Sequence, residues 1–254
     1  MKKLKQALRM DRCRCFRSPF FYLACAMMLV FWIITDIQAI TAPPDSGAVL
    51  YLFQQRSSFA LFASLPFATV FCEDFRNRFL WYSVQRTGAS AYAWSKIISA
   101  MIYTLLANLL SCMIYIALLR LRFPLMSYPP NIRVYASIAP YGELLLGSAP
   151  ILYFICIAAC ESLFAGILGV TALTLSCLLP DFFVTLATPI ILYYVIINAA
   201  TSGAASPYRI YITHSIDLGG PVISLLYAIG YAIIWMLIMG ALFRHLVQRR
   251  LVHG

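Results

Sequence analysis

Residues 73–96 read EDFRNRFLWYSVQRTGASAYAWSK, a dense charged block between long apolar runs. The block holds two acidic and four basic side chains, whereas Ser57–Cys72 before it and Ile97–Leu119 after it contain no charged residue. Because charged side chains are costly in hydrocarbon, the block predicts a loop outside the membrane between two spans. A loop of this kind suits a surface on which another protein acts, so it favours a driven membrane subunit over a self-contained enzyme.

The composition places the whole chain among membrane proteins. Of its 254 residues, 62% are hydrophobic and 11% are charged, which is outside the usual composition of soluble domains. A helix needs about 20 apolar residues to cross the hydrocarbon core. We therefore predict an all-α protein with a six-span transmembrane domain over residues 19–243, preceded by a cytoplasmic interfacial helix (1–18) and followed by a basic cytoplasmic tail (244–254). The predicted spans lie near residues 20–40, 52–72, 97–119, 150–179, 182–200 and 221–243.

The distribution of Lys and Arg predicts the orientation of these spans. Six spans place both termini and the 73–96 loop on one side, which holds fourteen of the nineteen Lys and Arg residues. The side richer in Lys and Arg faces the cytoplasm, so both termini and the loop are predicted to be cytoplasmic. Attraction of these residues to anionic lipid accounts for the net charge of +10. Membrane lipid is thus an expected partner, and nucleic acid is not.

Chemistry-bearing motifs are sparse. Cys13 and Cys15 have no His or acidic partner at ligand spacing, and none of the eight cysteines falls in a predicted external loop, so no disulfide framework is expected. The three His residues do not form an H-E-x-x-H motif, and the chain has no G-x-x-x-x-G-K-[ST] phosphate loop. We therefore predict no catalytic, cofactor or metal site on this chain.

Several features recur in a recognisable order along the chain. A basic tail leads into the first span, six spans follow with both ends inside, and the first cytoplasmic loop opens with acidic residues and closes on a lysine. The segments concerned are RSPF (17–20), EDFRNRF (73–79), VQRTGAS (84–90), WSKIISA (94–100) and LTLSCLLPDFFVTLATPIILYYV (173–195). Together they resemble the membrane subunit of an ABC transporter of the ABC-2 permease family. VQRTGAS departs from the family pattern, which often has a proline near Arg86 and Thr87.

The resemblance implies a division of labour between chains. Two six-span permease subunits, identical or paired as a heterodimer, would form the pathway, and a pair of separate ABC ATPase subunits would dock beneath them with ATP and Mg. The 73–96 loop would supply the coupling helix that contacts the ATPase. The expected activity is export of a hydrophobic or amphipathic cargo, such as a peptide, an antimicrobial or a drug-like compound. The expected location is a bacterial plasma membrane.

The loop residues expected to form the ATPase-coupling surface combine charges, aromatic side chains and a flexible turn. Charged groups set the register of an interface, aromatic residues dominate binding hot spots, and glycine permits a sharp reversal. These residues are Glu73, Asp74, Phe75, Arg76, Arg78, Phe79, Arg86 and Gly88. The alternative interpretation is an ordinary topogenic loop whose aromatic rings lie at the headgroup level.

Candidate residues of a cargo pathway lie within the predicted spans. Glu161 is about 16 Å into the fourth span, near the midplane, where it would line the pathway, sense protons or pair with a neighbouring helix. The resemblance places the second and fifth spans along the pathway, and packing or lipid contact would use the same residue types. The aromatic candidates there are Phe59, Phe62, Phe67, Tyr193 and Tyr194.

Two other functional classes fit a chain of this composition. An ion-coupled secondary carrier or channel would need more buried charge and broken helices. An intramembrane enzyme would need paired acid–base residues, and Glu161 has no such partner at recognisable spacing. Dependence on an ATPase partner distinguishes the exporter subunit from both.

Overall fold

The fold was analysed in a computed structural model, which describes residues 2–37, 40, 62–124, 141–146, 150–202 and 221–253. Within these residues the regular structure is helical and contains no strand, as the sequence predicts. The helices of this part of the chain are α1 (Lys2–Arg17), α2 (Pro19–Thr35), α3 (Val70–Arg76), α4 (Phe79–Thr87), α5 (Ala89–Arg120), α6 (Gly142–Leu146), α7 (Pro150–Ser176), α8 (Phe182–Ser202) and α9 (Pro221–His253).

Three of these helices are long and apolar enough to cross a membrane: α5, α7 over Ile151–Ser176, and α9 over Val222–Val252. A fourth candidate arises if α1 and α2, which meet at 55°, are taken as one bent span. The apolar part of α8, Phe182–Ile196, is shorter. Within the described residues the protein is therefore all-helical, with three to four candidate membrane spans. Residues 52–61 of the predicted second span lie outside the described residues.

The bend between α1 and α2 has a local cause in the sequence. Ser18 caps α2, because its Oγ accepts a hydrogen bond from the Phe20 N–H at 3.3 Å, and Pro19 occupies the first helical position. Proline is favoured at the start of a helix and disfavours helical geometry in the residue before it. The sequence predicted that the N-terminal helix ends before Pro19, and the end of α1 at Arg17 confirms this.

The α7 helix lies at the centre of the bundle, where it packs against α5, α8 and α9. In the most apolar window of α7, 72% of the residues are buried, compared with 17% in α9. Close approach of α5 to α7 depends on Gly169, because a Cβ there would lie 2.8 Å from Thr104 Oγ1. Because only 17% of the α9 window is buried, most of its surface is available for contact with lipid or with another subunit.

One end of the bundle gathers helix termini, and we call it the charged end. The Phe20 ring at the start of α2 lies 6.0 Å from the Phe182 ring at the start of α8. At the C-terminal end of α9, the Arg250 guanidinium donates hydrogen bonds to the carbonyl groups of Cys177 and Leu178, which follow α7. Helices α1, α3 and α4 also lie at this end.

The last helix is longer than predicted. The sequence assigned residues 244–254 to a basic tail, but α9 continues without a break to His253. Phe243 and Val247, four residues apart, are fully buried, so an apolar stripe carries the helix through the basic segment.

Candidate functional site

The 73–96 loop folds as two short helices at the charged end. Helix α3 ends at Arg76, and α4 begins at Phe79 after a turn in which Arg78 has a left-handed backbone conformation, with φ of 55°. Gly88 joins α4 to α5 with φ of 88°, a conformation that favours glycine. The loop is therefore a helical elbow, and Gly88 lies at the junction of α4 and α5.

The two acidic residues of the loop are engaged within the chain. Asp74 is fully buried, and Glu73 is partly buried. Arg14 of α1 donates to Asp74, and its Nη2 donates to Glu73 Oε2 at 2.8 Å. Burial acts to lower the pKa of Arg14, but the charge of Asp74 and hydrogen bonds to both carboxylates raise it overall. Asp74 therefore faces α1, where it has no access to a partner protein.

A second cation completes this buried ion network. Lys96 of α5 is 4% exposed, and its Nζ lies 2.5 Å from Asp11 Oδ1 and 3.5 Å from Asp74 Oδ2. The Tyr92 hydroxyl donates to Asp74 Oδ2 at 2.8 Å. Lys96 Nζ also lies 5.5 Å from the centre of the Phe67 ring, within the range of a cation–π contact.

The ion network joins three segments that are far apart in the sequence. Its charged members are Asp11 and Arg14 of α1, Glu73 and Asp74 of α3, and Lys96 of α5. Three carboxylates face two cations, and the buried Asp11 Oδ2 has no hydrogen-bond partner among the described residues. Separating the segments would leave buried charges uncompensated, which is strongly destabilising. The ion network therefore holds the three helix segments together as one unit.

The outer face of α4 is exposed. Leu80 and Thr87 are buried on the inner face of α4, whereas Phe79 is 52% exposed and Tyr82 is 71% exposed on the outer face. Arg86 is exposed too and follows Tyr82 by four residues, on the same side of the helix. We call Phe79, Tyr82 and Arg86 the α4 face. It offers two aromatic side chains and a cation at the charged end.

The remaining loop residues lie beside the α4 face. Arg76 and Arg78 are exposed. Phe75 is 36% exposed, and its ring lies 5.5 Å from the guanidinium carbon of Arg250. Of the predicted coupling residues, the structure thus places Phe75, Arg76, Arg78, Phe79 and Arg86 at the surface. Tyr82 is the most exposed aromatic residue of α4.

The candidate pathway residues occupy different environments. Glu161 and Phe67 are buried, at 2% and 1% exposure. Tyr193 is also buried and packs against Phe164, whereas Tyr194 is largely exposed. Phe62 is partly buried and packs against Phe31, and Phe59 lies outside the described residues. These side chains do not share one open surface within the described part of the chain.

Polar side chains meet between α5 and α7 in the region of Glu161. Cys112 Sγ lies 3.9 Å from Glu161 Oε2, and Asn108 Nδ2 donates to Ser162 Oγ at 3.0 Å. Hydrogen bonds of this kind hold membrane helices together. Asn108 therefore joins α5 to α7, and Glu161 lies in the same helix–helix interface.

Metal ligands are not assembled at the described cysteines and acidic residues. Cys13 is exposed, whereas Cys15 is buried with its Sγ 3.8 Å from the Pro66 carbonyl oxygen. No group of three His, Cys, Asp or Glu side chains comes together among the described residues.

Comparison of the chain with protein-family models, with curated proteins and with solved structures gives no match in any of the three. The functional interpretation therefore rests on the residues and contacts described above.

Proposed function

We propose that this chain is the membrane-spanning permease subunit of an ATP-driven exporter of the ABC-2 type. It would act in the plasma membrane as a multi-pass subunit with both termini cytoplasmic. A second permease subunit would complete the pathway, and a separate ABC ATPase pair would bind ATP and Mg. The cargo class that fits the apolar composition is a hydrophobic or amphipathic compound, such as a peptide, an antimicrobial or a drug-like molecule.

The observation that carries the proposal is an exposed aromatic and basic face on a loop that is anchored by buried charges. Aromatic residues and Arg are the residue types that dominate binding hot spots, and the α4 face presents Phe79, Tyr82 and Arg86 together. A surface that receives mechanical work must also resist local deformation. The ion network supplies this resistance, because it ties α3 to α1 and to α5 at the base of the loop.

Movement imposed on the α4 face would reach the membrane helices by two short routes. The first is covalent, since Gly88 alone separates α4 from α5. The second runs through Asp74, which contacts both Arg14 and Lys96. Closure of an ATPase pair beneath the loop would therefore displace α1 and α5 together, which is the rigid-body type of coupled motion. Glu73 and Asp74 would act in this scheme by positioning the loop.

The test is purification of the tagged full-length chain from its native membrane in mild detergent, followed by identification of bound proteins and an ATP hydrolysis assay. We expect a stoichiometric ATPase to accompany the chain. The double substitution Tyr82→Ala/Arg86→Ala should reduce ATPase recovery at least tenfold, because both side chains are exposed and lie on the α4 face. Tyr227→Ala/Arg120→Ala is the matched control, since these two residues are also exposed but lie away from the charged end.

The outcomes separate the candidate functions. Loss of the ATPase from the α4 variant, with normal membrane insertion and normal recovery in the control, supports the permease assignment. An oligomer that transports or conducts without any ATPase would contradict it and favour an ion-coupled carrier or channel. Equal ATPase recovery from both variants would remove the α4 face as the docking surface.

A further inference from the structure

A groove opens at the charged end between the loop and the turn that joins α7 to α8. Its volume is about 900 Å³, within the range of pockets that hold small molecules. One wall is the elbow between α3 and α4, and the other is the start of α8 together with the start of α2. The aromatic residues that line it are Phe20, Phe75, Trp81, Phe182 and Phe183.

Four charged residues line the groove, two of them acidic and two basic. Glu73 already accepts a hydrogen bond from Arg14. The Asp181 carboxylate accepts hydrogen bonds from two backbone N–H groups in the first turn of α8. Arg76 and Arg78 are exposed and form no ion pair within the described part of the chain. The groove therefore presents two cations that suit an anion.

Both arginines belong to the elbow between α3 and α4. Arg78 has a φ of 55°, a backbone conformation that residues other than glycine, Asn and Asp rarely adopt. Its backbone N–H donates to the Phe75 carbonyl at 3.1 Å, which closes the turn after α3. Arg76 and Arg78 are two positions apart in the sequence, and both line the wall of the groove that this turn forms. Arginine side chains bind phosphate oxygens with paired N–H donors.

The positions of Phe20 and Phe182 indicate where the groove lies relative to the membrane. Phe20 and Phe182 begin the apolar helices α2 and α8, and their rings lie 6.0 Å apart. Phe183 is 78% exposed. In a chain that spans a membrane, the first turn of an apolar helix lies near the headgroups of the bilayer. The groove thus combines cations at the headgroup level with exposed apolar surface at the start of the hydrocarbon region.

We propose that this groove binds the headgroup of an anionic phospholipid from the surrounding leaflet. The lipid phosphate would lie between Arg76 and Arg78, and the acyl chains would leave the groove beside Phe182 and Phe183. A phospholipid carries both chemical features that the groove matches, an anionic head and apolar tails. The site requires that α2 and α8 lie in a membrane, and it does not depend on ATP-driven transport.

The experiment compares lipid binding to the purified full-length chain by native mass spectrometry. Phosphatidylglycerol is the anionic probe, and phosphatidylcholine of the same acyl chains is the zwitterionic probe. For Arg76→Gln/Arg78→Gln we expect phosphatidylglycerol to bind about 30-fold more weakly, because each basic residue near an anionic lipid contributes about fivefold. Arg244→Gln/Arg249→Gln is the matched control, since it removes two exposed cations in the last part of α9 but outside the groove.

A selective loss in the groove variant, with the control within about threefold of the parent protein, supports the site. Equal binding of the two lipids by the parent protein contradicts it. An equal loss in the control would mean that overall surface charge attracts the lipid. Unchanged lipid binding together with loss of a protein partner would assign the groove to that partner. If the double variant does not fold, Arg78→Gln alone should weaken binding about fivefold.

Discussion

Replacing Lys96 with methionine tests the ion network most sharply. The Lys96 ammonium lies 2.5 Å from Asp11 and 3.5 Å from Asp74, and all three side chains are almost completely buried. At an effective dielectric constant of about 20, these contacts correspond to attractions of about 7 and about 5 kcal/mol. Desolvation of the charges offsets much of this, and loss of one partner from a buried ion pair costs about 3–5 kcal/mol in practice. Methionine keeps an apolar side chain beside the Phe67 ring, so the loss of stability measures the contribution of the Lys96 charge.

The assay is unfolding of the purified chain in mixed micelles by increasing fractions of SDS, monitored by far-ultraviolet circular dichroism. We expect Lys96→Met to lower the apparent free energy of unfolding by about 3–5 kcal/mol. Lys5→Met, which removes an exposed lysine of α1, should change it by less than about 0.5 kcal/mol. Asp11→Asn/Lys96→Met removes one charge of each sign and should recover at least about 1 kcal/mol of the loss. A loss below about 1 kcal/mol for Lys96→Met, or no recovery in the double variant, would refute the network.

The other predictions concern helix packing and helix ends, and the same unfolding assay measures them. Gly240→Ala should lower the apparent free energy of unfolding by about 1–3 kcal/mol, because a Cβ at this position would overlap the Trp94 ring. Gly230→Ala in the same helix meets nothing within 4 Å and should be neutral or slightly stabilising; equal losses for the two would contradict the packing. Arg250→Gln should cost about 1 kcal/mol more than Arg249→Gln, since only Arg250 donates hydrogen bonds to the carbonyl groups after α7. Equal losses of stability for the two arginine variants would contradict this contact between α7 and α9.

Local features of the fold were predictable from the sequence. The end of α1 before Pro19 and the cap that Asp181 provides for α8 depend on residues next to each other in the chain. Long apolar runs likewise predicted the membrane-length helices α5, α7 and α9. In each case the physical cause acts within a few turns of helix, so a single sequence contains it.

Contacts between distant segments were not predictable in the same way. Residues 73–96 were interpreted as a surface for a partner, but Glu73 and Asp74 pair with Arg14, about 60 positions earlier in the chain. No helical periodicity links these residues. Asp11, the single acidic residue in a basic N-terminal segment, was the available signal that α1 contributes to a buried ion network.

The α4 face is proposed to receive a soluble ATPase. The most direct measurement replaces Tyr82 with a photoreactive phenylalanine derivative and irradiates the native membrane. The same derivative at Leu121, which is 84% exposed at the end of α5, serves as the control. We expect a crosslink from position 82 to a separate ATPase chain and none from position 121. Crosslinks from position 82 only to lipid, or to the ATPase equally from both positions, would contradict it.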